Sequence, residues 1–359
     1  MKLQRGTAAA AGIDAGRLQK ACALLEEWAA TDSVPGAALA LARNGILLPT
    51  RSFGSCTTPA GEKPIAPDSV FLVASVTKPV TATAAMILVE QGRVSLRDRV
   101  VDIIPEFAGA ERAEIRLLHL LTHTSGLPDM LPENEELRRQ HAPLSQFIER
   151  IYTTPLLFPP GTRVSYQSTG TALAGEIVER LSGQSLRAFY QQQICAPLGM
   201  TSTALGSRDD LLERLAPVCL PAAQEGTDWH WNTPFWRQFG APWGGMFSTV
   251  EDLVVFLQTF LCEGTYDGHR LLHRDTARAM ISDQTSTLPE LRETEHRWGL
   301  GWSLSWAGET TAPWSFGHGG ATGTLVGADP VSGLAWAIFT TRPGAPLTQV
   351  ATAIKAALV

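Results

Sequence analysis

Apolar side chains recur at helical spacing over residues 14–31 (DAGRLQKACALLEEWAAT), and Val34 to Phe53 then predicts two short strands around the turn Arg43-Asn44-Gly45. The far end mirrors this. Thr324 to Ala328 and Leu334 to Thr341 predict strands around Pro330 to Gly333, and Leu347 to Val359 predicts a closing helix. Between these ends the pattern turns helical, most clearly over Ser75 to Gln91, Ile115 to Thr122, Leu144 to Tyr152, Thr169 to Ser182, Leu186 to Ile194 and Thr249 to Cys262. This order predicts an α/β (α+β) fold: one antiparallel sheet flanked by N- and C-terminal helices, with an inserted helical lobe. Residues 1–68 and 290–359 are expected to build the sheet lobe and residues 69–289 the mainly helical lobe. The cleft at their interface is the expected place for a ligand.

Composition narrows the classes. A content of 44% hydrophobic and 18% charged residues suits a globular chain with a large core. The formal charge of -6 leaves no basic surplus for a phosphate backbone, so nucleic acid is not an expected partner. The N-terminal MKLQRGTAAAAGIDAG has only a short alanine run, and no segment reads as an uncharged membrane span. The expectation is a cytoplasmic protein without membrane partners, or a periplasmic or secreted one if a leader has been trimmed. Five cysteines stand singly, without CxxC pairs, which argues against a disulfide framework or a thiolate metal site.

Three short segments carry candidate chemistry. Ser75-Val76-Thr77-Lys78 lies where the extended Phe71-Leu72-Val73-Ala74 gives way to a helix. A serine there sits near unpaired N–H groups, and a lysine three residues on shares its helix face. A desolvated lysine loses its proton near neutral pH and can accept the serine's. Tyr166-Gln167-Ser168 follows the turn Pro159-Pro160-Gly161 and precedes a helix, so its phenol could pass protons in the cleft. His318-Gly319-Gly320-Ala321-Thr322-Gly323 leads into the strand at Thr324. Glycines let an edge strand approach a ligand, and the N–H groups of Ala321 and Ser75 could form an oxyanion hole. Each segment also has a plain reading, as a capped helix, a half-buried tyrosine and a glycine-rich turn. Their order and contexts together favour chemistry.

With Ser75 to Phe107, Leu120 to Pro128 (LLTHTSGLP), Phe158 to Gly175, Gly244 to Phe256 and Phe316 to Thr324, the chain resembles the serine β-lactamase and penicillin-binding protein superfamily. The resemblance is to its class C-like branch, which includes family VIII carboxylesterases and D-amino-acid peptidases. It implies a β-lactamase/transpeptidase-like fold with Ser75 as the acylated nucleophile, Lys78 as base, Tyr166 as proton-transferring group and Ala321 completing the oxyanion hole. Substrate contacts would fall to Ser168, His318, Gly319 and Gly320. Two departures stand out. Ser168 replaces the family's usual asparagine, and His318-Gly319 stands where β-lactamases and DD-peptidases usually have Lys-Thr. Without that cation, carboxylate recognition should weaken, which points to uncharged esters or amides. Arg342 is a candidate substitute cation, or simply a solvated arginine. Trp229, Trp231, Trp236 and Trp243 crowd a stretch that could wall an acyl pocket or pack a long loop.

The expected function is therefore a serine acyl hydrolase, carboxylesterase-like, acting on small esters or amides through an acyl-enzyme, with no cofactor and no metal. A class C-like β-lactamase or D-amino-acid/DD-peptidase is the alternative enzyme, and a catalytically silent ligand-binding relative the alternative of another class. Whether lysine or tyrosine is the principal base, and whether water or an alcohol takes the acyl group, stays open at this level. His119 and His123 have metal-pair spacing, but no H-E-x-x-H glutamate accompanies them. A G-x-S-x-G nucleophile elbow, a P-loop and a dinucleotide fingerprint are all missing from the sequence.

Overall fold

In the computed structural model, which describes residues 2–286, 297–304 and 315–359, the chain opens with a short strand β1 (Gln4–Arg5) and helix α1 (Ala15–Ala30). Strands β2 (Gly36–Arg43), β3 (Ile46–Leu47), β4 (Arg51–Thr58) and β5 (Gly61–Pro64) follow, then β6 (Val70–Leu72). The middle is mostly helical, with α2 (Thr77–Glu90), α3 (Leu117–Leu121), α4 (Leu144–Ile151), α5 (Ser168–Ser182) and α6 (Val250–Leu261). Strands β7 (Ala204–Leu205), β8 (Leu215–Ala216) and β9 (Met246–Ser248) join β6 in a small four-stranded sheet. The chain closes with β10 (Arg297–Trp298), β11 (Ser303–Leu304), β12 (Phe316–Gly320), β13 (Thr324–Asp329), β14 (Leu334–Thr340) and α7 (Leu347–Ala356).

The main sheet runs β1-β3-β2-β14-β13-β12-β11-β10, with β4 and β5 branching from β2. Its central strands are buried on both faces, which explains their unbroken apolar sequences. The side-chain period of two divides them cleanly. Ala37, Leu39 and Leu41 of β2 and Leu334, Trp336 and Ile338 of β14 enter one core with α1 and α7. Ala38, Ala40 and Ala42, with Ala335, Ala337 and Phe339, face the other core. There α6 packs on β2 and β14, and the three alanines of β2 leave room for its backbone. Asp14 caps α1 by accepting from the Arg17 N–H at 2.8 Å, and α1 then lies along α7.

The expected sheet with two terminal helices and an inserted helical region is thus present. The differences are local. The second strand predicted up to Phe53 is split at Leu48–Thr50 and continues to Thr58, because Gly54 reaches Gly36 in the β2 ladder before the chain turns into β5. The small sheet around β6 escapes a pattern reading, since its partners are two or three residues long. The expected boundary between residues 289 and 290 lies outside the described residues. Among the described residues, no helix is long and apolar enough to cross a membrane.

Candidate active site

The segment Val73–Thr77 turns from β6 into α2, and it does so under strain. Ala74 has φ +45°, left-handed backbone that a residue with a Cβ rarely adopts. Surrounding hydrogen bonds hold it there. The Thr77 hydroxyl donates to the Ala74 carbonyl at 2.6 Å, and the Thr322 and Thr324 hydroxyls donate to the carbonyls of Leu72 and Val73 at 2.6 and 2.9 Å. Those two threonines tie the end of β6 to the turn between β12 and β13. A Cβ on Gly320 would lie 2.2 Å from the Val73 carbonyl oxygen, so only glycine permits this approach.

Ser75 and Lys78 meet on the first turn that follows. Lys78 is 2% exposed, and its Nζ lies 3.0 Å from Ser75 Oγ and 3.0 Å from the carbonyl oxygen of Trp243. Burial lowers the amine to about 7, with the Asp129 carboxylate pulling the other way. The Tyr166 ring lies 4.6 Å from Nζ, and its phenol shares a hydrogen bond with Ser75. Burial raises that phenol above its ordinary range despite the bond to Ser75. At neutral pH the tyrosine is therefore a protonated phenol, and the lysine is the group able to be a free base.

The LLTHTSGLP segment is the scaffold for Tyr166. His123, at φ +60°, accepts from the Gln167 N–H through Nδ1 at 3.2 Å, and its carbonyl accepts from the Ser165 N–H at 2.8 Å. Gln167 in turn takes the Ser125 hydroxyl at 2.5 Å and donates to the His119 carbonyl at 3.1 Å. The His123 ring lies 4.8 Å from Tyr166 and 4.2 Å from Trp298, which forms the third side of this aromatic group. Of the two histidines considered as a metal pair, His123 thus serves the backbone beside Tyr166, whereas the His119 ring accepts from the Arg116 N–H at 3.2 Å at the start of α3.

Ser168 does not aim its hydroxyl at the lysine. It donates to Asp129 Oδ1 at 2.7 Å, and its N–H meets the same oxygen at 2.9 Å, so Asp129 caps the N-terminus of α5. The acceptor that Lys78 meets is a main-chain carbonyl, that of Trp243.

Strand β12 pairs fully with β13, but with β11 only at Phe316 and Gly317. Among the described residues His318, Gly319 and Gly320 therefore have a free outer edge, as the sequence suggested, although they belong to the strand itself rather than to a turn entering it. The edge opens on a cleft of about 540 Å³ whose lining includes Ser75, Tyr166, Trp298, His318 to Ala321 and Gly344 to Thr348. His318 is buried, with Nδ1 2.7 Å from the Gly319 carbonyl oxygen. A carbonyl can only accept, so Nδ1 carries the proton and Nε2 does not. Burial first, and the Lys78 charge second, lower this imidazole to about 3. It is a neutral side chain at any working pH. Arg342 is no replacement cation: it donates to the Asp32 carbonyl at 3.2 Å and is not part of the cleft lining.

Of the two readings open for Trp229, Trp231, Trp236 and Trp243, an acyl-pocket wall or the packing of a long loop, the lining of this cleft includes none of the four. Trp236 stacks on Phe239 at 5.4 Å and lies under the Arg138 guanidinium at 4.4 Å, and Trp243 packs edge-on to Phe239 at 6.0 Å. Trp229 is buried and Trp231 packs against the main core. These rings close the loop onto the helical region, and Trp298 supplies the aromatic surface beside Ser75. The sequence reading misses Asp129 and Trp298, and it weighs His123 only as half of a metal pair. Only the run SGLPD, continuous with a recognised segment, offered a pointer to Asp129.

Comparison with known proteins bears on the descent and the fold of the chain. The sequence profile of the family described as Beta-lactamase matches residues 22–359. Penicillin-binding protein 4 of Amycolatopsis lactamdurans is 33% identical over 318 residues, 86% of this chain and 81% of that protein. A penicillin-binding protein homolog from Caulobacter crescentus superposes with a TM-score of 0.80 at 24% identity, covering 97% of this chain and 99% of the other. A family VIII carboxylesterase gives 0.79 at 21% identity, covering 97% and 98%. At these identities the two structures speak for the fold, and the sequence matches speak for descent: the chain belongs to the beta-lactamase family.

Proposed function

We propose that the protein is a serine acyl hydrolase that cleaves uncharged esters through an acyl-enzyme on Ser75. The observation that carries the reading is the buried Lys78 amine, lowered to about 7 and 3.0 Å from Ser75 Oγ. Neutral lysine takes the serine proton as Oγ bonds to the substrate carbonyl carbon. The carbonyl oxygen becomes an oxyanion, held by the N–H groups of Ser75 and Ala321. As the tetrahedral intermediate collapses, the ester C–O bond breaks, and the leaving alcohol takes the proton from Lys78 by way of the Tyr166 phenol. Water repeats the attack on the acyl carbon, gives its proton to the amine, and Ser75 Oγ leaves and is reprotonated. Tyr166 shuttles protons in this scheme and Lys78 is the base.

His318 supports uncharged substrates. The edge that would hold a substrate carboxylate presents a neutral imidazole whose N–H is already given to Gly319. A carboxylate placed there would be desolvated without a cation to meet it. The matched relative named as a penicillin-binding protein keeps a second reading in view, a β-lactamase or DD-peptidase. Purified protein given p-nitrophenyl butyrate and, separately, nitrocefin distinguishes them. Ester turnover with weak or no nitrocefin hydrolysis is expected, and efficient nitrocefin hydrolysis without ester turnover would overturn the proposal. Turnover that survives Ser75→Ala would defeat the acyl-enzyme on Ser75, and a folded wild-type protein that turns over neither substrate would leave a ligand-binding relative.

A further inference from the structure

Thr81 lies one turn beyond Lys78 on α2, is fully buried, and is not among the residues lining the cleft. Its hydroxyl is nonetheless engaged twice. Oγ1 is 2.5 Å from the carbonyl oxygen of Pro242, and it is also hydrogen-bonded to the phenol of Tyr190. The directions follow from counting protons. The Pro242 carbonyl can only accept, so the single Thr81 proton goes to it, and Tyr190 must donate to Thr81 Oγ1. The competing acceptor for both hydroxyls is the Thr77 carbonyl, at 3.5 Å from each, a marginal distance.

The residue after Pro242 is Trp243, whose carbonyl receives Lys78. The relay from Tyr190 through Thr81 to Pro242 therefore fastens the segment that holds the base to the helix that carries the base. Tyr190 is also fully buried, and burial keeps its phenol protonated, hence a donor. It opens a π-helical turn over Tyr190–Cys195, a wider turn seldom retained without a local reason, and one that here presents the phenol to α2.

We propose that Thr81 and Tyr190 are positioning residues for Lys78: through the Pro242 carbonyl they fix the Trp243 carbonyl at hydrogen-bonding distance from the amine. This rests on the reading of Ser75 and Lys78 as nucleophile and base. Without the relay, the segment loses the Pro242 hydrogen bond to α2 and keeps the Lys78 bond that the relay positions, and an acceptor displaced by about 1 Å no longer orients the amine towards Ser75.

The test is steady-state ester hydrolysis across pH, with thermal melts, for Thr81→Val, Thr81→Ser and Tyr190→Phe. Thr81→Val keeps the shape and removes both hydrogen bonds. It is expected to lower kcat about tenfold or more with KM within about twofold, and to move the acid limb of the pH profile away from 7. Thr81→Ser restores the hydroxyl and should restore both readouts, and Tyr190→Phe should shift them in the same direction by less. A lowered melting temperature with wild-type kcat and acid limb would mean that the hydroxyls only satisfy one another in the core, and would overturn the proposal. So would a Thr81→Val defect that serine does not rescue. If Thr81→Val does not fold, Tyr190→Phe decides alone, and an unmoved limb refutes the idea. Ser75→Ala separates the two levels: turnover that survives it defeats the proposed function, whereas Ser75-dependent turnover indifferent to Thr81 and Tyr190 defeats only this inference.

Discussion

The carbonyl oxygen of Trp243 lies 3.0 Å from Nζ of Lys78, across a separation of 165 positions in the chain. That contact fixes one hydrogen of the amine and leaves its lone pair available to the serine proton. It also ties the base to a backbone group, which no side-chain substitution at position 243 removes directly.

Burial sets the pH dependence. In the proposed mechanism Lys78 acts only when neutral, and its amine is lowered to about 7, so kcat/KM for an ester should rise through about pH 7 and level off above it. Lys78→Ala should lose about 100- to 10,000-fold. The measurement is the pH profile of p-nitrophenyl butyrate hydrolysis corrected for the spontaneous reaction. A limb near 4 or above 9 would assign the base elsewhere.

The neutral edge at His318 should be convertible. His318→Lys places a cation where Nδ1 now serves Gly319, and the ratio of nitrocefin to butyrate-ester kcat/KM should rise about tenfold or more. An unchanged ratio would separate His318 from carboxylate discrimination.

Trp298, rather than the tryptophans of the 229–243 stretch, should set acyl selectivity. It lines the cleft together with Ser75 and Gly344 to Thr348. Trp298→Ala should shift preference among p-nitrophenyl esters towards longer or branched acyl groups by about tenfold, while Trp231→Ala leaves the chain-length profile as it was. The opposite pattern would restore the wall expected from sequence.

Asp252 offers a check that is independent of catalysis. Its buried carboxyl accepts from the Ser202 N–H at 2.9 Å and the Thr203 hydroxyl at 2.8 Å, and burial raises it to about 6 from 3.8. The folded protein therefore holds this proton more tightly than the unfolded chain. Its stabilising effect is complete below pH 3.8 and is lost as pH rises through 6, leaving a penalty at neutral pH. Asp252→Asn keeps an acceptor without the charge, so thermal melts should show a gain of roughly 2–4 °C at pH 7.5 that vanishes near pH 4. An equal gain at both pH values would mean that charge burial is not its cause.

What the sequence reveals and what it hides divide along physical lines. The unbroken apolar runs in Gly36–Arg43 and Leu334–Thr340 are legible because each strand is sandwiched between two cores. Ser75, Lys78 and Tyr166 stand out through the order of their segments and the family resemblance these carry, since each local motif alone also has a plain reading, and the fold brings the three together. The Trp243 carbonyl is invisible, since every residue has one and only the fold decides which is aimed at an amine. The crowd of tryptophans signals burial correctly but cannot say against what: Phe147 and Arg138 claim it, and the cleft goes to Trp298, far along the chain. Asp129 is hidden for a related reason, because its partner Ser168 replaces a residue whose loss looked like a missing function.

The most direct test of the central claim is intact-mass measurement after treatment with a fluorophosphonate at pH 8, on the wild type and on Ser75→Ala. One stoichiometric phosphonyl adduct on the wild type, mapped to the peptide containing Ser75 and absent from Ser75→Ala, is the expected result. A folded wild-type protein that takes up no adduct, or an adduct that persists in Ser75→Ala, would contradict it.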